Sequence, residues 1–425
     1  MKPKRTDESV KNERASSVAP VDIRQPPQDR AADLIKSENI EGLAKALTDS
    51  SSFINQLQSK NGKSLLTIAA EEGSIDAMKL LVKSGIDITL VDKTDSPAII
   101  HASRFGYNKV VEFLIQVADI NSFELLKREN ALMTACRFKQ EETAILLINS
   151  GISLTHTNEN NDDALLTALK FQCFNVAKLL VEKGCSINSI SSNGNRIITR
   201  CAFDNREDTL DFVLNCPEVD VNVKNLNGET ALMIASRHGH DSIVLKLLQQ
   251  ERININEVDS FGRSALYIAL ASNKQATINL LLSSTMALDV NIADHFGVSP
   301  LMLACQKQLP ILIVEKILKR GGFINSMDRS MFTPLMYACM CGSQDLISLL
   351  LRHGADSEAT NIDNKRAIDL LSSKELQTFF MNAVEMEKPL PLTDNNQQLE
   401  AGKRIAPDWV QRLNNKDFIQ PARRV

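Results

Sequence analysis

No stretch of this sequence stays apolar for the roughly 18 residues that a membrane-crossing helix needs, so no segment reads as a span. Residues 1–30 are polar and charged and lack the apolar core of a signal peptide, which points to a cytosolic or nuclear protein. An excess of one charge is missing too. Lys and Arg number 48 against 52 Asp and Glu, a net of -4, which disfavours a partner held by bulk charge, nucleic acid or an anionic membrane. Metal-ligand spacing is absent: Cys339-Met340-Cys341 has one intervening residue rather than two, and His238-Gly239-His240 has no third ligand close by. No GxSxG, HExxH or GxGxxG occurs, and Asn61-Gly62-Lys63-Ser64 matches only the end of a phosphate-binding loop. The expectation is a protein that is not an enzyme and carries no cofactor.

What the sequence does have is a repeat. In residues 227–240, Asn227-Gly228 is a turn dipeptide, the Thr230 hydroxyl can cap a helix, Leu232 and Ala235 share one helical face, and Gly239 stops it. Ile243, Val244, Leu247 and Leu248 then form the stripe of a second helix. Positions equivalent to Thr230 fall at Ser64, Pro97, Asn130, Asp163, Arg196, Ser264, Ser299, Thr333 and Arg366, at spacings of 33 to 35 residues. Two places further on, every copy has Leu or Ile, from Leu66 to Ile368; five places on, nine of the ten have Ala or Cys, which lets helices approach closely. Cys136, Cys201, Cys305 and Cys339 take small-residue positions and read as buried thiols rather than disulfides.

This pattern resembles the ankyrin-repeat family, whose 33-residue unit is a turn and two helices with a T-P-L-H-x-A signature. Ser299-Pro300-Leu301 and Thr333-Pro334-Leu335 keep its first three letters, and Asp259 to Gly262 and Asp294 to Gly297 keep its turn. The signature His occurs in no copy. Its position holds Thr67, Ile100, Met133, Leu166, Thr199, Met233, Tyr267, Met302, Met336 and Asp369, so apolar packing is expected to replace its polar contacts. The resemblance implies an all-α solenoid of about ten helix-turn-helix layers with β-turn tips, capped at both ends, and a function in binding proteins.

The expected organisation is a disordered tail at 1–29, the repeat domain at 30–385, and a flexible tail at 386–425. Within the domain, 30–58 is the first cap, about 59–361 the repeats and 362–385 the second cap. Residues 405–415 contain the single tryptophan, Trp409, four residues before Leu413. They read either as a linear motif that folds on a partner or as a tail with an incidental aromatic.

Two candidate surfaces emerge. In stacks of this family the turn tips and the ends of the first helices line the concave face. Seven and eight places after each cap position stand Arg104 and Phe105, Arg137 and Phe138, Lys170 and Phe171, then Phe203 and Asp204. The resulting basic, aromatic stripe suits an extended peptide with acidic and apolar side chains; the alternative is that these rings pack between neighbouring repeats with the cations in water. His101, Thr134, Thr167 and Arg200 make the same segment more polar inside the groove. Further along, Phe261, Phe296, Met331 and Phe332 lie at successive turn tips and form an apolar ridge, unless adjacent turns bury them. The expected function is that of a non-catalytic, monomeric scaffold or adaptor for protein partners; the alternative is a targeting or regulatory subunit whose C-terminal tail recruits an enzyme or occludes the groove.

Overall fold

A computed structural model describes residues 27–49, 62–92, 96–191 and 194–386. Among them the regular elements are helices, joined by turns and isolated bridges. The chain runs through α1 (Pro27–Lys36) and α2 (Ile40–Asp49), then α3 (Leu65–Glu72) and α4 (Ile75–Lys83), α5 (Ala98–Phe105) and α6 (Asn108–Val117), α7 (Ala131–Arg137) and α8 (Glu141–Asn149). It continues with α9 (Ala164–Lys170) and α10 (Phe174–Glu182), α11 (Ile197–Asp204) and α12 (Glu207–Leu214), α13 (Ala231–His238) and α14 (Asp241–Leu248). The last elements are α15 (Ala265–Ala271) and α16 (Gln275–Ser283), α17 (Pro300–Gln306) and α18 (Ile311–Lys319), α19 (Pro334–Met340) and α20 (Gln344–Arg352), a 3-10 turn at Ala367–Leu370 and α21 (Lys374–Met386). Each odd-numbered helix from α1 to α19 packs on its own even-numbered partner, and the odd-numbered helices of adjacent copies pack on one another at every joint except that between α9 and α11, where contact is sparse. This is an all-α repeat solenoid.

The first helices begin where a side-chain oxygen can accept an otherwise orphaned N–H. Ser64 accepts from the Thr67 N–H at 3.1 Å, Asp163 from Leu166 at 2.8 Å and Thr230 from Met233 at 3.4 Å; Asn130, Ser264, Ser299 and Thr333 do the same. Pro97 and Arg196 provide no such bond. Gly239, at φ +75°, ends α13 in the left-handed region.

Above those caps the repeated apolar ladder forms the core. Leu66, Ile99, Leu132, Leu165, Ile198, Leu232, Leu266, Leu301 and Leu335 are buried, as are the small residues three places later. Burying one such Leu or Ile contributes about 1.5–3 kcal/mol relative to exposure. The core continues from Ala31 to Phe380 without interruption. At the signature-His position Met133, Met233, Met302 and Met336 are buried as expected, with one addition: the sulfurs of Met233 and Met302 accept the backbone N–H groups of Thr230 and Ser299 at 3.4 and 3.3 Å. A thioether is a weak acceptor, so these residues join packing with partial satisfaction of the helix end.

Two further devices tie copy to copy. Asn188, Asn222, Asn256, Asn291 and Asn325 each bridge to the following repeat through both amide atoms. For Asn222 the oxygen accepts from the Asn254 N–H at 2.7 Å while the amide nitrogen donates to the Arg252 carbonyl at 2.8 Å; the other four repeat this clasp. At the turn tips, backbone N–H groups of Ser260, His295, Arg329 and Ile362 donate to the carbonyls of Asn227, Phe261, Phe296 and Ser330. Each tip is itself closed by an Asx residue: the Asp259 carboxylate accepts from Phe261 and Arg263, and the Asp294 carboxylate from Phe296 and Val298. Among the described residues no helix is long and apolar enough to cross a membrane.

Candidate functional site

The turns and first helices share one face, and the cation–aromatic stripe lies on it. The Arg104 guanidinium carbon is 5.2 Å from the centre of the Phe138 ring, and that of Arg137 is 5.3 Å from the centre of the Phe171 ring. Each cation thus covers the ring of the next copy rather than its own neighbour in sequence. Phe105, Phe138 and Phe203 remain about half exposed, whereas Phe171 is half-buried against the core. Phe105 stacks on Tyr107 with ring centres 6.0 Å apart, and Phe203 meets His238 edge-on at 5.2 Å.

The cations differ in how far they are neutralised. Both oxygens of the buried Glu129 carboxylate accept from the Arg137 guanidinium, its Nε donating at 2.8 Å. Lys170 stands 3.7 Å from Asp162, and Arg237 pairs with the buried Glu229. In all three cases the acid lies eight residues before the base, so the turn brings it under the end of the first helix. Where Arg104 would need such an acid the chain has Ser96, which instead donates to Glu124 at 3.2 Å. Among the described residues no carboxylate pairs with Arg104, and its Nε is buried without a hydrogen-bond partner. Burial raises the Asp162 carboxyl above its ordinary range, a shift that Lys170 and Arg200 only partly offset.

Beneath this stripe the polar residues of the groove are mostly covered. His101 is buried with Nε2 3.0 Å from the Asp92 carboxylate and Nδ1 3.1 Å from that of Glu71, and Lys63 reaches the same Glu71 at 2.6 Å. Burial works against the charged form of Glu71, but His101 and Lys63 outweigh it and hold its carboxyl below the usual value. Thr134 and Thr167 are also buried. Of the four groove positions only Arg200 presents charge at the surface; its Nε donates to Asp204 at 2.6 Å.

In the later copies Phe261, Phe296 and Met331 are exposed at the tips, Phe296 by 67%. Phe332 lies behind this row, half-buried, with its ring centre 5.6 Å from that of Tyr337. Leu226 and Ile362, not foreseen from the sequence, extend the exposed apolar row at either end. They stand one place earlier in the turn than Phe261 and Phe296, so alignment by equivalent position passes over them. Trp409 and residues 405–415 lie outside the described residues. The eight cysteines are free thiols, and burial pushes those of Cys201, Cys305 and Cys339 up to about 12.

Comparison with known proteins agrees with this architecture. A family model described as ankyrin repeats (3 copies) matches residues 33–124, 99–191, 198–294 and 286–361. Neurogenic locus notch homolog protein 1 of Danio rerio is 29% identical over 140 residues, which is 33% of this chain and 6% of the relative. Its counterpart of that name in Homo sapiens is 26% identical over 140 residues, 33% of this chain and 5% of the relative. An ankyrin repeat protein of fowlpox virus (strain NVSL) is 30% identical over 141 residues, 32% of this chain and 41% of the relative. The matched part of the chain spans less than half the length of each of these three relatives.

Proposed function

This chain belongs to the ankyrin-repeat family, and from that premise we propose that it is a non-catalytic scaffold or adaptor that holds a partner protein against the face formed by its turns and first helices. Repeats of this kind supply extended surfaces for binding proteins. The observation that carries the reading is the exposure of Phe105, Phe138 and Phe203 along one face, with Arg104 over the Phe138 ring. Large rings kept in water while most other large apolar side chains are buried favour a surface completed by a partner, and Arg and aromatic residues dominate such contacts. An extended peptide with apolar and acidic side chains suits this composition.

Crosslinking and mass spectrometry in the source cell would identify partners for the intact chain, for a chain ending at residue 387, and for a Phe105→Ser, Phe203→Ser, Arg104→Glu triple variant. Arg137 is left alone because replacing it would strand the buried Glu129 charge, a loss of about 3–5 kcal/mol. The triple variant should lose partners that the shortened chain keeps. Loss on tail removal only would overturn the proposal and move recognition to the segment around Trp409.

A further inference from the structure

At the joint between α9 and α11 the first-helix face holds a recess of about 160 Å³. Lys170, Arg196, Arg200 and Arg206 line it together with two carboxylates, Asp162 and Asp204. Four cations less two carboxylates leave two positive charges in a small, partly enclosed volume, within a chain that is acidic overall.

Arg206 fills a role that Gln140 and His240 share, a link from the start of the second helix to a carbonyl at the end of the preceding first helix, but the repeat pattern asks for no cation at positions 196 and 200. Arg196 occupies the helix-capping position, where seven other copies have Ser, Thr, Asn or Asp accepting from the helix end. Arginine has no acceptor atom, and its Nη1 turns back to the Asn188 carbonyl while its Nε is buried without a partner. The α11 end is left to Thr199, whose hydroxyl accepts only from the Arg196 N–H, at 3.0 Å. Arg200 stands where Ile68, Ile234, Ile268 and Leu303 fill the core in other copies. Arg206 reaches across the joint to the Lys170 carbonyl, which fixes its guanidinium beside the recess.

We propose that this recess receives one anionic side chain, a carboxylate or a phosphoryl group, from a peptide lying along the first-helix face. The proposal rests on the reading of that face as a protein-binding surface. Arg196 and Arg200 offer guanidinium donors suited to paired contacts with either group. Asp162 and Asp204 in the lining confine the positive charge to the recess, which suits a single peptide side chain better than a nucleic-acid backbone.

The test uses the full-length protein on synthetic peptide arrays in which the central residue is phosphoserine, aspartate or serine within otherwise matched sequences. The comparison protein carries Arg196→Ser and Arg200→Ile, which install residue types found at these positions in other copies; a thermal melt at or above the wild-type midpoint establishes that it is folded. The wild-type chain should favour the aspartate or phosphoserine series over serine by about tenfold, and the double variant should bring that ratio close to one. The stronger of the two anionic series identifies the group. Binding of serine peptides with no anionic preference, or a preference that survives in the variant, would overturn the recess while leaving the face intact. An array with no binding in any series would overturn both.

Discussion

Arg104 and Phe138 meet across the joint between two copies, the guanidinium carbon 5.2 Å from the ring centre, so an exposed aromatic and an unpaired cation are partners of one another. A contact of this kind at an accessible site is worth about 0.5–1 kcal/mol. Replacing Phe138 with Leu and Arg104 with Met, singly and together, should give a coupling energy of that size in urea unfolding; a coupling near zero would mean the ring is available entirely to a partner.

The asparagine clasps give a sharper expectation. Asn256 accepts from the Asp289 N–H at 2.9 Å and donates to the Ala287 carbonyl at 2.7 Å. Asn256→Ala removes both links and should destabilise the array by about 1–3 kcal/mol, whereas Asn121, which shows a single link to Ser153, should cost about half as much on the same substitution. Chemical denaturation followed by circular dichroism would read the difference.

Glu71 predicts an acid limb in the stability profile. Its carboxyl is held below 4.5 despite burial, because His101 and Lys63 favour the charged form. A group whose folded value is depressed stabilises the fold above its unfolded value, and that contribution fades as pH falls from about 4.5 through the folded value. Melting temperatures measured from pH 7 to pH 3 should fall less steeply for Glu71→Gln than for the natural protein, and equal slopes would remove Glu71 from the explanation.

Thiol chemistry separates the cysteines by depth. With Cys201, Cys305 and Cys339 pushed up to about 12 by burial, their reactive thiolate fraction at pH 8 is about one in ten thousand. Alkylation followed by peptide mass spectrometry should label the half-buried Cys185, Cys216 and Cys341 first and reach the three deep thiols only on unfolding.

The fold was legible because a repeat imposes one burial pattern many times: Leu232 and Ala235 look ambiguous alone but not as members of a ladder. The site was less legible. That Arg137 is neutralised while Arg104 is not depends on Glu129 folding under the helix end from eight residues away, though the same offset recurs at Asp162 and Lys170 and at Glu229 and Arg237. In the sequence Arg196 is one more cap position and Arg206 a charged residue at a turn, which ordinarily reads as solvated; only the structure shows them converging with Lys170. The asparagine clasps were present as a recurrence of 34, 34, 35 and 34 residues from Asn188 to Asn325, in step with the caps, but polar residues in connecting segments carry no local signal of what they bridge.

The two-atom clasps begin at Asn188, and the tip ladder from Asn227 to Ile362 runs through the same later copies. Mechanically the molecule is then a rod of two stiffnesses. Its later half is stitched along two edges at successive joints, while the half bearing Arg104 and Phe138 is joined by less regular links, among them the Glu159 N–H to the Lys127 carbonyl, the Ser153 N–H to Asn121 and Thr143 to Asn108. Tension applied to the two ends should extend residues 62–187 at lower force than residues 218–356, with separate steps in a force–extension trace. The compliant half is the one that carries the cations and rings, so a partner seated there would also act as a brace.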